Sequence, residues 1–428
     1  MVLLAVALVA WRGALGNPME TYGYTARAVG LGGAMTAVAS SFDATWYNPA
    51  GLGQLTGCEL GAGLSVRRTF LSAQVSEPDA ATGALGRAER QLGRTRGELD
   101  LGLASPIPLG AGLERVLFAG ASVLLPGTTL YAIRERPIEQ AIFPFLQERN
   151  DRLVLNLALA ARWRWVMVGA GVSFLPSVAG RVDVDFTDGA GRNATSVDVN
   201  TSLSPNVGLL LLPVEGLSLG LVWRGQNRLD LAIPVSVVIS EKITPVDLTV
   251  TAAEYSTPHE LALGAAWKGS GWTVAGDVKY AFYRTFRASF PDVELFSTAD
   301  GSASLESVAP EGGFRDTWAA SLGGEVRVAR GLDARAGASW TQSPVPAQQG
   351  LTNLLDGDRY AGSLGLGLDV GAWGGPPLSI DLAAAAGGFA RNRDDKLDAA
   401  VDPANPGWPW VGGRGAYVLG TLSTTVRF

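Results

Sequence analysis

The stretch that closes this chain alternates without interruption. Ala416, Val418, Gly420, Leu422, Thr424, Val426 and Phe428 fall on one face, and Leu419, Thr421, Ser423, Thr425 and Arg427 on the other. A period of two is the signature of a strand, because successive side chains leave opposite faces of the pleat. The same pattern recurs upstream. Leu364, Leu366, Leu368 and Val370 oppose Ser363, Gly365, Gly367 and Asp369, and Trp272, Val274, Val278, Tyr280 and Phe282 oppose Thr273, Ala275, Asp277 and Lys279. In each case a clean apolar face meets a small, polar or charged one.

That pairing of faces explains an otherwise odd hydropathy. Of the 428 residues 47% are hydrophobic, and the mean hydropathy is +0.18. Yet no run of about 18 apolar residues is present, so membrane-spanning helices are not expected. Strands that face lipid on one side and a lumen on the other need this distribution. The expected fold is all-β, a transmembrane antiparallel barrel of about 14 strands in the bacterial outer membrane, with a terminal Phe on the closing strand. The expected strands are 57–75, 96–107, 114–131, 151–162, 164–177, 201–212, 217–232, 257–268, 271–290, 314–329, 332–343, 358–371, 377–390 and 414–428.

Connections support the count. Short ones near 108–113, 162–164, 213–216, 268–271, 329–331 and 371–376 alternate with long ones near 76–95, 132–150, 178–200, 233–256, 291–313, 344–357 and 391–413. Membrane barrels have this asymmetry, with short periplasmic turns and long external loops. It places both termini in the periplasm. Trp163 and Trp165 flank one short turn, and Trp267 and Trp272 another, where amphipathic rings suit the headgroup level.

Residues 1–16 read as a secretory signal peptide, with Val2 to Ala10 as the apolar region and Ala14-Leu15-Gly16 before the cut. Residues 17–56 do not alternate as a strand and are rich in small residues, so they are expected to form a compact plug. The barrel then occupies 57–428. Cys58 is the only cysteine, so no intrachain disulfide forms. The net charge of −6 argues against a nucleic-acid partner.

The plug carries the most specific motif. Arg27-Ala28-Val29-Gly30-Leu31-Gly32-Gly33-Ala34-Met35 is followed by Asp43 and then Trp46-Tyr47-Asn48-Pro49-Ala50-Gly51-Leu52. This pattern resembles the N-terminal hatch of the FadL family of outer-membrane transporters for long-chain fatty acids and other hydrophobic compounds. Detailed similarity covers about residues 22–52; beyond it, the resemblance rests on strand count and size. PorV-like barrels, which act in protein secretion, share the same opening.

The resemblance implies a pocket gated by the hatch, with Gly32, Gly33, Asp43, Asn48, Pro49 and Ala50 as hatch residues. It also implies sideways exit into the bilayer through a kinked strand. Pro126-Gly127, read as lying mid-run in the third strand, would supply that kink, since proline donates no ladder hydrogen bond. A bulge at the rim, or the true end of the strand, is the other reading of the pair. Phe143, Phe145 and Leu146, in an apolar cluster of the third-to-fourth-strand loop, are candidates for substrate capture; the alternative is that such loop residues pack on each other. Ile233 to Ile239 form a second apolar loop stretch. Arg134, Arg136, Arg181 and Lys242 lie near these loops, where a carboxylate headgroup would find a cation.

No cofactor is called for. His259 is the only histidine, which leaves a His-rich metal site without ligands and a nucleophilic triad with one candidate base. No phosphate-binding glycine loop is present. The expected partners are a hydrophobic small molecule and outer-membrane lipid, and proteins at the external loops if the chain is instead a docking barrel.

Overall fold

Alternation becomes a closed wall. The computed structural model describes residues 18–78, 85–110, 116–127, 131–132, 140–147, 151–185, 192–238, 246–285, 292–297, 313–350, 352–396 and 405–428. Within these, fourteen strands form an antiparallel barrel. They are β1 (Glu59–Pro78), β2 (Thr95–Ile107), β3 (Leu117–Pro126), β4 (Val154–Trp163), β5 (Val166–Asp185), β6 (Arg192–Leu211) and β7 (Leu217–Arg224), then β8 (Glu260–Gly269), β9 (Trp272–Ala281), β10 (Thr317–Ala329), β11 (Leu332–Thr341), β12 (Arg359–Asp369), β13 (Leu378–Asp395) and β14 (Trp410–Arg427). Each pairs with the next, and β14 returns to β1 in a register from Glu59↔Arg427 to Gln74↔Gly412. Closure leaves no unpaired sheet edge in the hydrocarbon.

The faces are as the alternation requires. On β14, Ala416, Val418, Gly420 and Leu422 are exposed, while Tyr417, Leu419, Thr421, Ser423 and Thr425 are buried. Leu364 is 68% exposed, Leu322 61% and Leu263 56%. Large aliphatics left in water at that exposure would each forgo up to about 1.5–3 kcal/mol of burial. On a lipid-facing wall they lose nothing. Trp163, Trp165, Trp267 and Trp272 stand exposed at the short-turn end, and Trp223, Trp318 and Tyr360 at the long-loop end. The barrel therefore wears two aromatic belts.

Several strands run further than the sequence indicates. β5 and β6 stay paired out to Asp185↔Arg192, so most of the expected loop 178–200 is strand. Most of 233–256 is likewise a ribbon, Asn227–Val238 against Val246–Thr257, and it lies parallel to the far end of β5. Arg181 and Ile233 thus belong to strand extensions. Arg134, Arg136, Ile239, Lys242 and residues 1–16 lie outside the described residues.

The third strand also differs. β3 pairs with β2 from Ile107↔Leu117 to Glu98↔Pro126, and with β4 from Leu117↔Ala161 to Leu124↔Val154, without a register shift. Pro126 is its last residue. The Gly127 N–H donates to the Gly97 carbonyl at 2.8 Å. Pro126-Gly127 therefore terminates β3 and does not kink it mid-run. The donor that proline lacks falls where pairing to β4 has already stopped, so it costs the ladder little.

Candidate functional site

The lumen is filled from the N-terminal side by a hatch of three short helices, α1 (Pro18–Tyr22), α2 (Ala26–Gly30) and α3 (Ala44–Tyr47), and a 3-10 turn (Pro49–Gln54). Its docking is polar and local. The Asn48 side chain is fully buried. Its Nδ2 donates to the carbonyls of Thr36 at 2.7 Å and, on the wall, of Leu209 at 3.3 Å; its Oδ1 accepts from the Ala50 N–H at 3.1 Å. Pro49 and Ala50 lie against the wall at Gly169, and Asn48 against Gly208; a Cβ at either glycine would collide with them. Gly32 and Gly33 adopt φ of +63° and +81°, conformations that favour glycine. A Cβ on Gly32 would stand 2.7 Å from the Ala338 N. Asp43 is buried at the start of α3, where its carboxylate accepts from the Ser41 N–H at 3.3 Å and Thr25 Oγ1 at 3.4 Å. Burial raises the Asp43 carboxyl above its ordinary range; Arg27 and the Ser41 N–H offset this only in part.

The wall answers with charged side chains on inward positions. Asp277 Oδ2 accepts from the Met35 N–H at 2.8 Å, the Thr36 N–H at 2.9 Å and Thr36 Oγ1 at 2.8 Å. Arg224 donates to the Trp46 carbonyl at 2.8 Å and stacks 4.0 Å above the Trp46 ring. Arg67, itself paired to Glu98, lies 4.7 Å over Tyr22.

Two cavities flank the hatch. The outer one, toward the long loops, encloses about 950 Å³ including its opening to solvent. Its floor is Glu20, Trp46, Arg224 and Lys279; its sides include Thr317, Ser339, Thr341 and Tyr417; Phe145, Tyr283 and Arg359 form the roof. A smaller lobe continues from it past Met19, Gly33 and Ser363. Glu20 lies 2.8 Å from Lys279 and 3.4 Å from Arg224. Burial pushes the Glu20 carboxyl up, but Lys279 and then Arg224 outweigh it and hold it at about 2. The inner cavity, toward the short turns, spans about 920 Å³ including its opening to solvent and is polar, with Arg27, Asp43, Glu325, Arg335 and Asp381 among its walls. Arg27 meets Glu325 at 3.2 Å, and Arg335 bridges Glu325 and Asp381.

The expected capture residues are placed otherwise than exposed. Phe143, Phe145 and Leu146 are 1%, 4% and 1% exposed. They form the underside of a packed cap. Phe143 tilts against Phe389 at 6.0 Å, and the Leu146 carbonyl accepts from Tyr22 Oη at 3.3 Å. Phe145 meets Tyr283 edge-on at 6.1 Å, with Arg359 4.3 Å above its ring. Loop packing buries an apolar cluster that the sequence alone leaves on a surface. Of the three, Phe145 lines the outer cavity.

Comparison with known proteins decides the family. The model of the outer membrane protein transport protein family (OMPP1/FadL/TodX) matches residues 168–396. The chain belongs to this family. It is 24% identical over 377 residues to alkane uptake protein A of Marinobacter nauticus, covering 82% of this chain and 79% of the relative. Its fold matches a FadL homologue of Pseudomonas aeruginosa with a TM-score of 0.63 at 15% identity, covering 98% of this chain and all of the other. It matches the toluene transporter TodX of P. putida with a TM-score of 0.57 at 16% identity, covering 95% and 99%. The chain is thus an outer-membrane transport barrel of the FadL/TodX type.

Sequence reasoning missed most of the cavity of this FadL/TodX barrel. Glu20, Arg224, Tyr283 and Arg359 gave no motif, and Trp46 lay inside the hatch motif without being read as cavity lining. Asp277 and Lys279 did leave a signal, as charges on the face of β9 expected to look inward. His259 is structural: its Nδ1 accepts from the Gln226 N–H at 3.0 Å and its ring stacks on Trp223 at 5.8 Å.

Proposed function

We propose that this barrel takes up hydrophobic small molecules across the outer membrane, holding them in the outer cavity until the hatch shifts. The observation that carries this reading is a cavity lined by the rings of Trp46, Phe145, Tyr283, Tyr360 and Tyr417, with the hatch below it and Phe145 and Tyr283 above. The names of the relatives, an alkane uptake protein and a toluene transporter, are in keeping with such cargo. The long loops face outward in this reading, and the short turns and both termini face the periplasm.

Hatch gating is part of the proposal. Gly32, Asn48, Pro49 and Ala50 seat the hatch against the wall, and Gly33 and Asp43 hold its internal turns, so cargo below the cavity meets a packed barrier. Lateral exit in this reading is over the short β3, whose pairing with β4 ends two residues before Pro126. The test is titration of folded barrel in detergent with a neutral hydrophobic fluorophore, in wild type and in Phe145→Ala and Trp46→Phe variants. Saturable binding, weakened about threefold or more by Phe145→Ala, is expected, since truncating a buried aromatic costs apolar contact. A folded barrel that binds no hydrophobic probe would instead favour a protein-docking role at the loops.

A further inference from the structure

The cations of the outer cavity are paired before any cargo arrives. Three cations line it: Arg224, Lys279 and Arg359. Lys279 lies 2.8 Å from Glu20, Arg224 lies 2.7 Å from Glu260, and Arg359 grips Asp356 with contacts of 2.9 and 3.0 Å. Three cations thus meet three carboxylates. The guanidinium faces are occupied too, that of Arg224 by Trp46 and that of Arg359 by Phe145. An entering carboxylate would either displace a protein carboxyl from its partner or add a fourth acidic group to a partly desolvated set whose cations are already paired. Both are unfavourable.

Neutral polar groups find different terms. Thr317 on β10 and Ser339 and Thr341 on β11 line the same cavity, and none of their hydroxyls bonds to another group among the described residues. They form a row of open donors and acceptors opposite the rings of Trp46, Phe145 and Tyr283. We propose that the cavity selects uncharged hydrophobic molecules, seats a single neutral oxygen such as an alcohol on the Thr317–Ser339–Thr341 row, and discriminates against carboxylates. This rests on the reading that the outer cavity binds hydrophobic cargo.

The test uses the full folded chain in detergent and three probes of matched length, decane, decan-1-ol and decanoate, each displacing a neutral hydrophobic fluorophore at about pH 8, where decanoate is ionised. Decan-1-ol is expected to bind best and decanoate about tenfold more weakly. Glu20→Gln releases Lys279, and decanoate should then gain about threefold or more relative to decane measured on the same variant. Ser339→Ala with Thr341→Val should weaken decan-1-ol by about threefold relative to decane measured on the same variant. Decanoate binding as tightly as decan-1-ol to the wild type overturns the selectivity and leaves cavity binding standing. An unaltered ranking in both variants overturns the assignment to these residues. If none of the three binds a folded barrel, the uptake reading falls and the selectivity with it.

Discussion

Single residues hold the hatch, and two of them make opposite predictions. Asp277 accepts three hydrogen bonds from Met35 and Thr36, both buried. Asp277→Ala strands those donors, at about 1–3 kcal/mol for each that stays buried and unpaired. We expect amide exchange at Met35 and Thr36 to accelerate strongly while the barrel stays folded, and Asp277→Asn, which keeps one acceptor oxygen, to do less. Unchanged exchange in Asp277→Ala would remove Asp277 as the anchor. Glu20 adds a pH dependence. Its carboxyl sits at about 2, below its ordinary value, so its contribution to hatch docking is complete above the ordinary glutamate range and is lost as pH falls toward 2. The stability difference between wild type and Glu20→Gln should therefore be constant from neutral pH to about pH 5 and shrink below it. Asp43 has the reverse sign. Burial raises its carboxyl, so ionisation opposes docking, and Asp43→Asn should relieve a penalty that grows as pH rises through the raised value. Thermal melts of the hatch at a series of pH values read both.

At the scale of elements, hatch and wall are complementary through missing side chains. Gly208 makes room for Asn48, and Gly169 for Pro49 and Ala50. Gly208→Val should displace the Asn48–Ala50 turn and expose residues 18–54 to protease, with the barrel strands still protected; a protected hatch in that variant would refute the fit. This complementarity shows what a sequence discloses and what it withholds. All fourteen strands were legible because lipid on one side and lumen on the other impose a period of two. The hatch motif was legible because Asn48-Pro49 and Gly32-Gly33 are locally committed to turns and to positive φ. The depth at which β5 and β6 leave the membrane was not, since their alternation continues above it. Nor was the burial of Phe143, Phe145 and Leu146, which depends on contacts with Phe389, Tyr22 and Tyr283 far along the chain. The role of Pro126 turned on the same issue: a proline that ends a strand and one that kinks it look alike until the partner strand is placed.

For the whole molecule, the question is what separates the two cavities. The outer one and the polar inner one share the sector of β10 to β13, and between them Gly30, Leu31 and Gly32 lie flat on the wall. A Cβ on Gly323 or Gly337 would strike Leu31 or Gly32, and one on Gly365 would stand 3.2 Å from the Gly30 Cα. Backbone pressed on backbone leaves no space for a cargo, so passage along this sector requires α2 to move. The latch is slight. The Ala26 N–H donates to Ser423 Oγ at 2.9 Å, the Gly30 carbonyl accepts from Ser363 Oγ at 3.3 Å, and Arg27 pairs with Glu325. A cysteine pair, Ala26→Cys with Ser423→Cys in a Cys58→Ser background, joins two residues whose main-chain N and side-chain Oγ are now 2.9 Å apart, and loss of free thiol on oxidation reports that the disulfide has closed. If cargo passes by hatch movement, oxidation of the pair should cut uptake into liposomes severely while binding to the outer cavity persists, and reduction should restore uptake. Undiminished uptake by the crosslinked barrel would mean that α2 stays in place during transport, and the exit would then lie in the wall above β3.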